Sequence, residues 1–206
     1  MKFLLALVIF AATCTGFAQG SFEAILGYDA NNVGLLVSAT AGWTFQSSET
    51  LNVTSLGCFA NVFTNNPGAA SVLVGLWAPD GTLLASSSIT PTNSLFNQSR
   101  YESITPVALP PGQVYHLGVF NATGSLSLDV ADPITGGSVF ASADIQLDGT
   151  ALASSGFSSP AGQAGTSGIY AGPNFQYTGG VPEPSSWLLL GLGGLFMVAR
   201  WRHQRL

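Results

Sequence analysis

The sequence predicts an all-β body, a β-sandwich of jelly-roll type, and three observations predict it. Charged residues make up only 7% of the 206-residue chain, against ~25% in ordinary soluble domains. Lys, Glu and Arg, which favour exposed helices, are scarce, while Gly, Ser and Thr are abundant, a mixture that suits strands and turns. Short apolar runs separated by turn signals recur at least seven times, the spacing of a sandwich and not of a repeat array.

The strands follow in order from Phe22. Residues 42–46, 51–63 and 71–78 are rich in Val, Phe, Leu and Trp. Pro79-Asp80-Gly81 is a tight-turn signal between residues 72–77 and 82–89, which predicts a hairpin. Residues 101–109 come next, then Pro110-Pro111-Gly112 as a second turn signal, then a strand over 113–120. Alternation puts Tyr115, Leu117 and Val119 on one face and His116 on the other. Weaker strands are predicted over 126–130, 138–147 and 169–177. Residues 149–186 are rich in Gly, Ser, Ala and Pro. Up to Gly168 this composition reads as linker, but Tyr170, Phe175 and Tyr177 argue for a last strand before the spacer.

The two ends have a different character. Lys2, the apolar run 3–12, and small Gly16 and Ala18 stand in the order of a secretory signal peptide over 1–18, cleaved after Ala18. Cys14 is preceded by Ala11-Ala12-Thr13, which does not suit a lipidation site. At the other end, Ser185 to Ala199 carries no charge over fifteen residues. As a helix this run reaches ~22 Å, short of a ~30 Å hydrocarbon core. Trp187, Trp201 and a snorkelling Arg200 suit a slightly thinned bilayer. Arg200, Arg202 and Arg205 orient the span with its tail inside. The expected organisation is therefore signal peptide 1–18, β-sandwich ectodomain 19–178, linker 179–186, transmembrane helix 187–199 and basic cytoplasmic tail 200–206.

Charge placement narrows the partners. Between Gln19 and Gly180 one arginine stands against nine carboxylates, a formal charge of −8. Such a body repels nucleic acid and anionic lipid, which need clustered Lys and Arg. Neutral sugars, cations and other proteins remain.

Pro182, Glu183 and Pro184, the apolar run 187–199 with its glycines, and Arg200, Arg202 and Arg205 stand in that order at the end of the sequence. This tail resembles the PEP-CTERM sorting domain. The resemblance implies that a membrane-embedded exosortase processes the chain at Pro182-Glu183-Pro184, after insertion by the Sec export machinery. It further implies a single-pass inner-membrane precursor, then a place on the cell surface or in the extracellular matrix of a Gram-negative bacterium that makes exopolysaccharide. In residues 40–120, Gly42-Trp43-Thr44-Phe45, Leu51-Asn52-Val53-Thr54, Val74-Gly75-Leu76-Trp77, Gly81-Thr82-Leu83-Leu84, Tyr101 and Gly112-Gln113-Val114-Tyr115 resemble a secreted β-sandwich domain of the DUF4082-like group, which brings no functional residues with it.

Catalytic chemistry has few candidates. Cys58 is the only cysteine after the signal peptide and lies in an apolar strand, so a buried thiol is expected. His116 has no Gly-x-Ser-x-Gly elbow to serve. Asp29, Asn31 and Asn32, or Asp129 and Asp132, can donate oxygens to Ca²⁺ but match no complete loop and read as turns. Glu49 and Glu102 are carboxylates that glycoside hydrolysis would need as a pair. Trp43, Trp77 and Tyr101 are the candidate ligand contacts, by stacking on sugars, although both tryptophans sit in strand patterns that suit the core. The triplets at Asn52, Asn97 and Asn121 match a glycosylation acceptor, a chance match in a bacterial-type protein. The expectation is a non-enzymatic structural or adhesive protein without metal or cofactor, an extracellular polysaccharide being the candidate partner. A carbohydrate-binding module is the alternative, and a secreted hydrolase a third reading.

Overall fold

The computed structural model describes residues 20–30, 32–131, 136–153, 155–163 and 169–179. The signal-peptide reading, Asn31, Asp132, Pro182-Glu183-Pro184, the apolar run 187–199 and the three terminal arginines lie outside the described residues.

Strands dominate. They are β1 (Phe22–Glu23), β2 (Ile25–Asp29), β3 (Asn32–Val37), β4 (Ala41–Ser47) and β5 (Leu51–Phe59), then β6 (Val72–Trp77), β7 (Leu83–Ile89), β8 (Ser94–Phe96) and β9 (Ser99–Leu109). After these come β10 (Tyr115–Phe120), β11 (Leu126–Ala131), β12 (Ser138–Ala141), β13 (Ile145–Leu152), β14 (Gly162–Gln163), β15 (Ile169–Ala171) and β16 (Pro173–Gly179). A short helix, α1 (Asn61–Asn65), follows β5. The described residues are all-β apart from α1, and their strand pairs are antiparallel. One sheet runs β1-β16-β5-β9-β8 and a second β14-β13-β4-β10-β6-β7; two small sheets, β15-β11-β3 and β12-β2, complete the fold.

The larger sheets meet across a core of aromatic rings. Trp43 of β4 stacks on Phe175 of β16 with centroids 6.0 Å apart, and Phe45 approaches the same ring at 5.1 Å. Trp43 Nε1 donates to the Pro173 carbonyl at 3.0 Å, so one side chain spans both sheets while its only polar atom stays satisfied. Tyr115, Leu117 and Val119 enter this core together, as their alternation predicts.

The hairpin at Pro79-Asp80-Gly81 forms as read. Ala78 N–H donates to the Thr82 carbonyl at 2.9 Å, and Gly81 takes φ 83°, a conformation that residues with a Cβ resist. Thr82 N–H donates to Asp80 Oδ1 at 2.9 Å and holds that carboxyl below its usual range. The Pro110-Pro111-Gly112 turn carries the chain from β9 in one sheet to β10 in the other.

Three expected strands are shorter or divided. The strand expected over 51–63 stops at Phe59, and the chain coils into α1. Asn66 side-chain bonds to Val62 O (2.6 Å) and to both Ser127 O (2.9 Å) and Ser127 N (2.7 Å) pin the helix end to β11, a local alternative to the ladder. The strand expected over 138–147 divides at residues 142–144, where Ile145 N–H bonds back to Ser142 O, so β12 and β13 join different sheets. The strand expected over 169–177 divides at Gly172 in the same way, β15 pairing with β11 and β16 with β5.

The six-stranded sheet is covered on its second face as well. Gly42, Gly118 and Gly75 lie opposite one another on β4, β10 and β6 and form a trench. Residues 155–160 fill it as a strap, with Phe157 5.2 Å from Trp77 and 6.2 Å from Phe120. Thr40 Oγ1 holds the strap by donating to Gly156 O at 2.8 Å and accepting from Ser158 N at 3.1 Å. The segment that composition reads as linker thus includes a packed layer.

Candidate functional site

On β5, the core takes Val53 and Leu56, while the bulge between them turns Ser55 away, beside Gln176 of β16 and Ser103 of β9. These side chains, with Asn93, Ser94, Phe96, Tyr101 and Glu102, line a groove of ≈ 290 Å³.

Its walls are fixed by bonds made before any ligand arrives. Asn93 Oδ1 accepts from Thr90 N (2.7 Å) and Thr90 Oγ1 (2.8 Å), its Nδ2 donates to Glu102, and its carbonyl accepts from Arg100 Nη1 at 2.8 Å. Tyr101 lies flat across Gly57, where a Cβ would come within 2.4 Å of the ring. Its hydroxyl donates to Glu23 Oε1 at 2.7 Å, and Asn97 Nδ2 donates to the other carboxylate oxygen. Burial, then the Glu23 hydrogen bond, raise the Tyr101 phenol far above its ordinary range, so it stays protonated and donates to Glu23. At the rim, Phe96 leaves 49% of its surface exposed.

The aromatic candidates distribute unevenly. Trp43 is wholly buried in the core and Trp77, 3% exposed, lies under the strap, so neither ring offers a face to a ligand. Tyr101 does line the groove, although only 7% exposed. Phe96, which sequence reasoning passed over, carries the exposed ring. Its signal is faint: a lone Phe in a Ser- and Asn-rich stretch, three residues before the start of a second strand.

The remaining candidates are engaged in structure. Burial pushes the Cys58 thiol up to about 12. His116 is buried on the strap side of its sheet, where burial lowers its pKa and Nδ1 has no hydrogen-bond partner among the described residues. Asp129 accepts from Tyr28 OH (2.9 Å), Asn65 Nδ2 (2.9 Å) and Asn61 Nδ2, which ties β2 and α1 to β11. Asp29 accepts from Ser138 Oγ at 3.0 Å. Glu49 is exposed in the β4–β5 connection and does not line the groove. Asn121 caps its own turn through Thr123 N (3.1 Å) and Oγ1 (2.9 Å). Among the described residues no three His, Cys, Asp or Glu side chains group as a metal site, and no helix is long and apolar enough to cross a membrane.

Beyond the last strand, residues 180–203 match the PEP-CTERM protein-sorting motif. That motif implies an exported protein that is processed at a membrane. The processing enzyme of PEP-CTERM tags is an exosortase, itself a membrane enzyme. No curated protein and no solved structure matches the chain.

Proposed function

We propose that the chain is an exosortase-sorted surface or extracellular-matrix protein with a structural or adhesive role, and that its body is a jelly-roll β-sandwich without catalytic function. The observation that carries this reading is the sorting motif at 180–203, one residue beyond β16 of an acidic all-β body. The commitment of Glu23, Asp129 and Asp144 to bonds with buried or half-buried tyrosines supports a non-catalytic role, as does the protonated, buried Cys58. The short uncharged apolar run and its basic end suit a precursor held once in the inner membrane, delivered there by a cleaved signal peptide and the Sec machinery. Pro182 and Pro184 favour an extended backbone that a protease can grip.

The test expresses the wild type and a Pro182→Ala, Glu183→Ala, Pro184→Ala variant, each with an internal epitope, with and without an exosortase. The wild type is expected to shorten and leave the membrane only when the exosortase is present, and the variant to remain full-length. Wild-type chain that stays full-length beside an active cognate exosortase overturns the sorting reading. Replacing Arg200, Arg202 and Arg205 with Gln is expected to reduce retention or invert topology.

A further inference from the structure

The groove between β5, β8, β9 and β16 has a composition that its place in the fold does not demand. A sheet face turned to water needs only scattered polar side chains. Here one half-exposed phenyl ring stands beside three serine hydroxyls, two carboxamides and a carboxylate, around a single depression. A sugar ring presents the complementary surface, with an apolar C–H face and a rim of hydroxyls that both donate and accept.

We propose that this groove binds a short stretch of neutral polysaccharide, with Phe96 stacked on one sugar ring and Gln176, Ser55, Ser103 and Glu102 bonding its hydroxyls. The proposal rests on the adhesive reading above and gives it a site and a ligand class. The volume lies at the small end of the range for small-molecule sites, roughly 300–1,000 Å³, which suits a short segment of a longer chain lying across the sheet. Charge selects the class. Glu102 lines the groove, Glu23 lies under Tyr101, and the whole body is acidic, so phosphate, sulfate and uronate chains are repelled. A divalent cation would find one lining carboxylate, already engaged by Asn93. The fixed walls reduce the ordering cost of binding: Asn93 and Tyr101 are locked by bonds of their own, so little conformational freedom remains to be lost.

The experiment applies the full chain in detergent to arrayed neutral and uronate-containing polysaccharides, followed by calorimetry with soluble fragments of any that are retained. Saturable binding to a neutral chain, insensitive to salt, is expected. Phe96→Ala is expected to weaken it by about tenfold or more, since it removes both the stacking and the buried apolar area, whereas Phe96→Tyr preserves it. Ser103→Trp changes an exposed position and is expected to block the groove while leaving the melting temperature near that of the wild type; it decides the matter should Phe96→Ala unfold. The proposal is overturned by failure to retain any neutral chain, by retention unchanged in both Phe96→Ala and Ser103→Trp, or by salt-sensitive retention of uronates alone. Release of reducing ends that disappears in Glu102→Gln also overturns it, by making the groove an active site. Exosortase cleavage is unaffected by any of these outcomes, so a failed glycan experiment leaves the sorting reading standing.

Discussion

His116 shows how a single side chain links the sheet to the pH of its surroundings. It sits on β10 between Thr44 of β4 and Trp77 of β6, neither of which offers a charge to stabilise an imidazolium. Burial therefore lowers its pKa from 6.5. With the folded value below the unfolded one, the unfolded chain binds more protons in the interval between them. Stability contributed by the neutral ring is present above pH ~6.5 and is lost as pH falls through that interval. Urea midpoints measured from pH 7.5 down to 5 are expected to decline, and His116→Gln is expected to flatten the decline. A slope identical in wild type and variant would place the acid sensitivity elsewhere. Sequence alternation assigned His116 to the non-core face correctly but gave no sign that this face is covered, because the covering residues come from 155–160, far along the chain.

At the scale of elements, the trench of Gly42, Gly118 and Gly75 makes that covering possible. A Cβ at Gly75 would meet the Trp77 ring at 2.3 Å and the Phe157 ring at 2.8 Å; one at Gly118 would meet Thr40 at 2.4 Å and Pro160 at 3.1 Å. Gly75→Ala is accordingly expected to lift Phe157 and cost about 1–3 kcal/mol by overpacking. Gly124→Ala, whose nearest neighbour is the Asn121 amide at 3.9 Å, is expected to be near neutral. Denaturant midpoints of the two variants check the contrast, and a shift in tryptophan fluorescence should accompany only the first. Local signals read well where one element decides its own shape. The Pro79-Asp80-Gly81 hairpin and the inward row Tyr115, Leu117, Val119 are of this kind. They read poorly where partners are distant. The Ser, Gly and Pro of 155–160 resemble linker composition, and their packing depends on Gly75 and Gly118, glycines from two other strands. The groove likewise draws Ser55, Phe96 and Gln176 from three separate strands, and no short motif contains them together. Helix α1 escaped the strand pattern because Asn66 bonds to Ser127, a partner sixty-one positions away.

At the scale of the molecule, the last strand among the described residues is an interior one. β16 lies between β1 and β5, with Phe22 opposite Tyr177 and Glu23 opposite Gln176. It also carries Phe175 and Tyr177 into the core and holds Asn174, whose side chain bonds both Ile25 N (3.0 Å) and Ile25 O (2.9 Å). Removing residues 180–206 is therefore expected to leave near-ultraviolet circular dichroism and protease resistance intact. Removing 173–206 is expected to abolish both, since β1 then has no pairing partner and the aromatic core is opened. A 173–206 deletion that keeps its near-ultraviolet signal would show that the sheet closes without its last strand. The placement of β16 also bears on the order of events during export. A chain that crosses a membrane N-terminus first delivers β16 after every other strand, so the body stays unfinished until residue 179 has passed through. Residue 180 begins the sorting motif, and completion of the sheet and presentation of the tag thus fall within one residue of each other. Any pull exerted on the tag during processing is borne by an interior strand laced on both sides by its neighbours, and the cargo resists being dragged open from the end by which it is held.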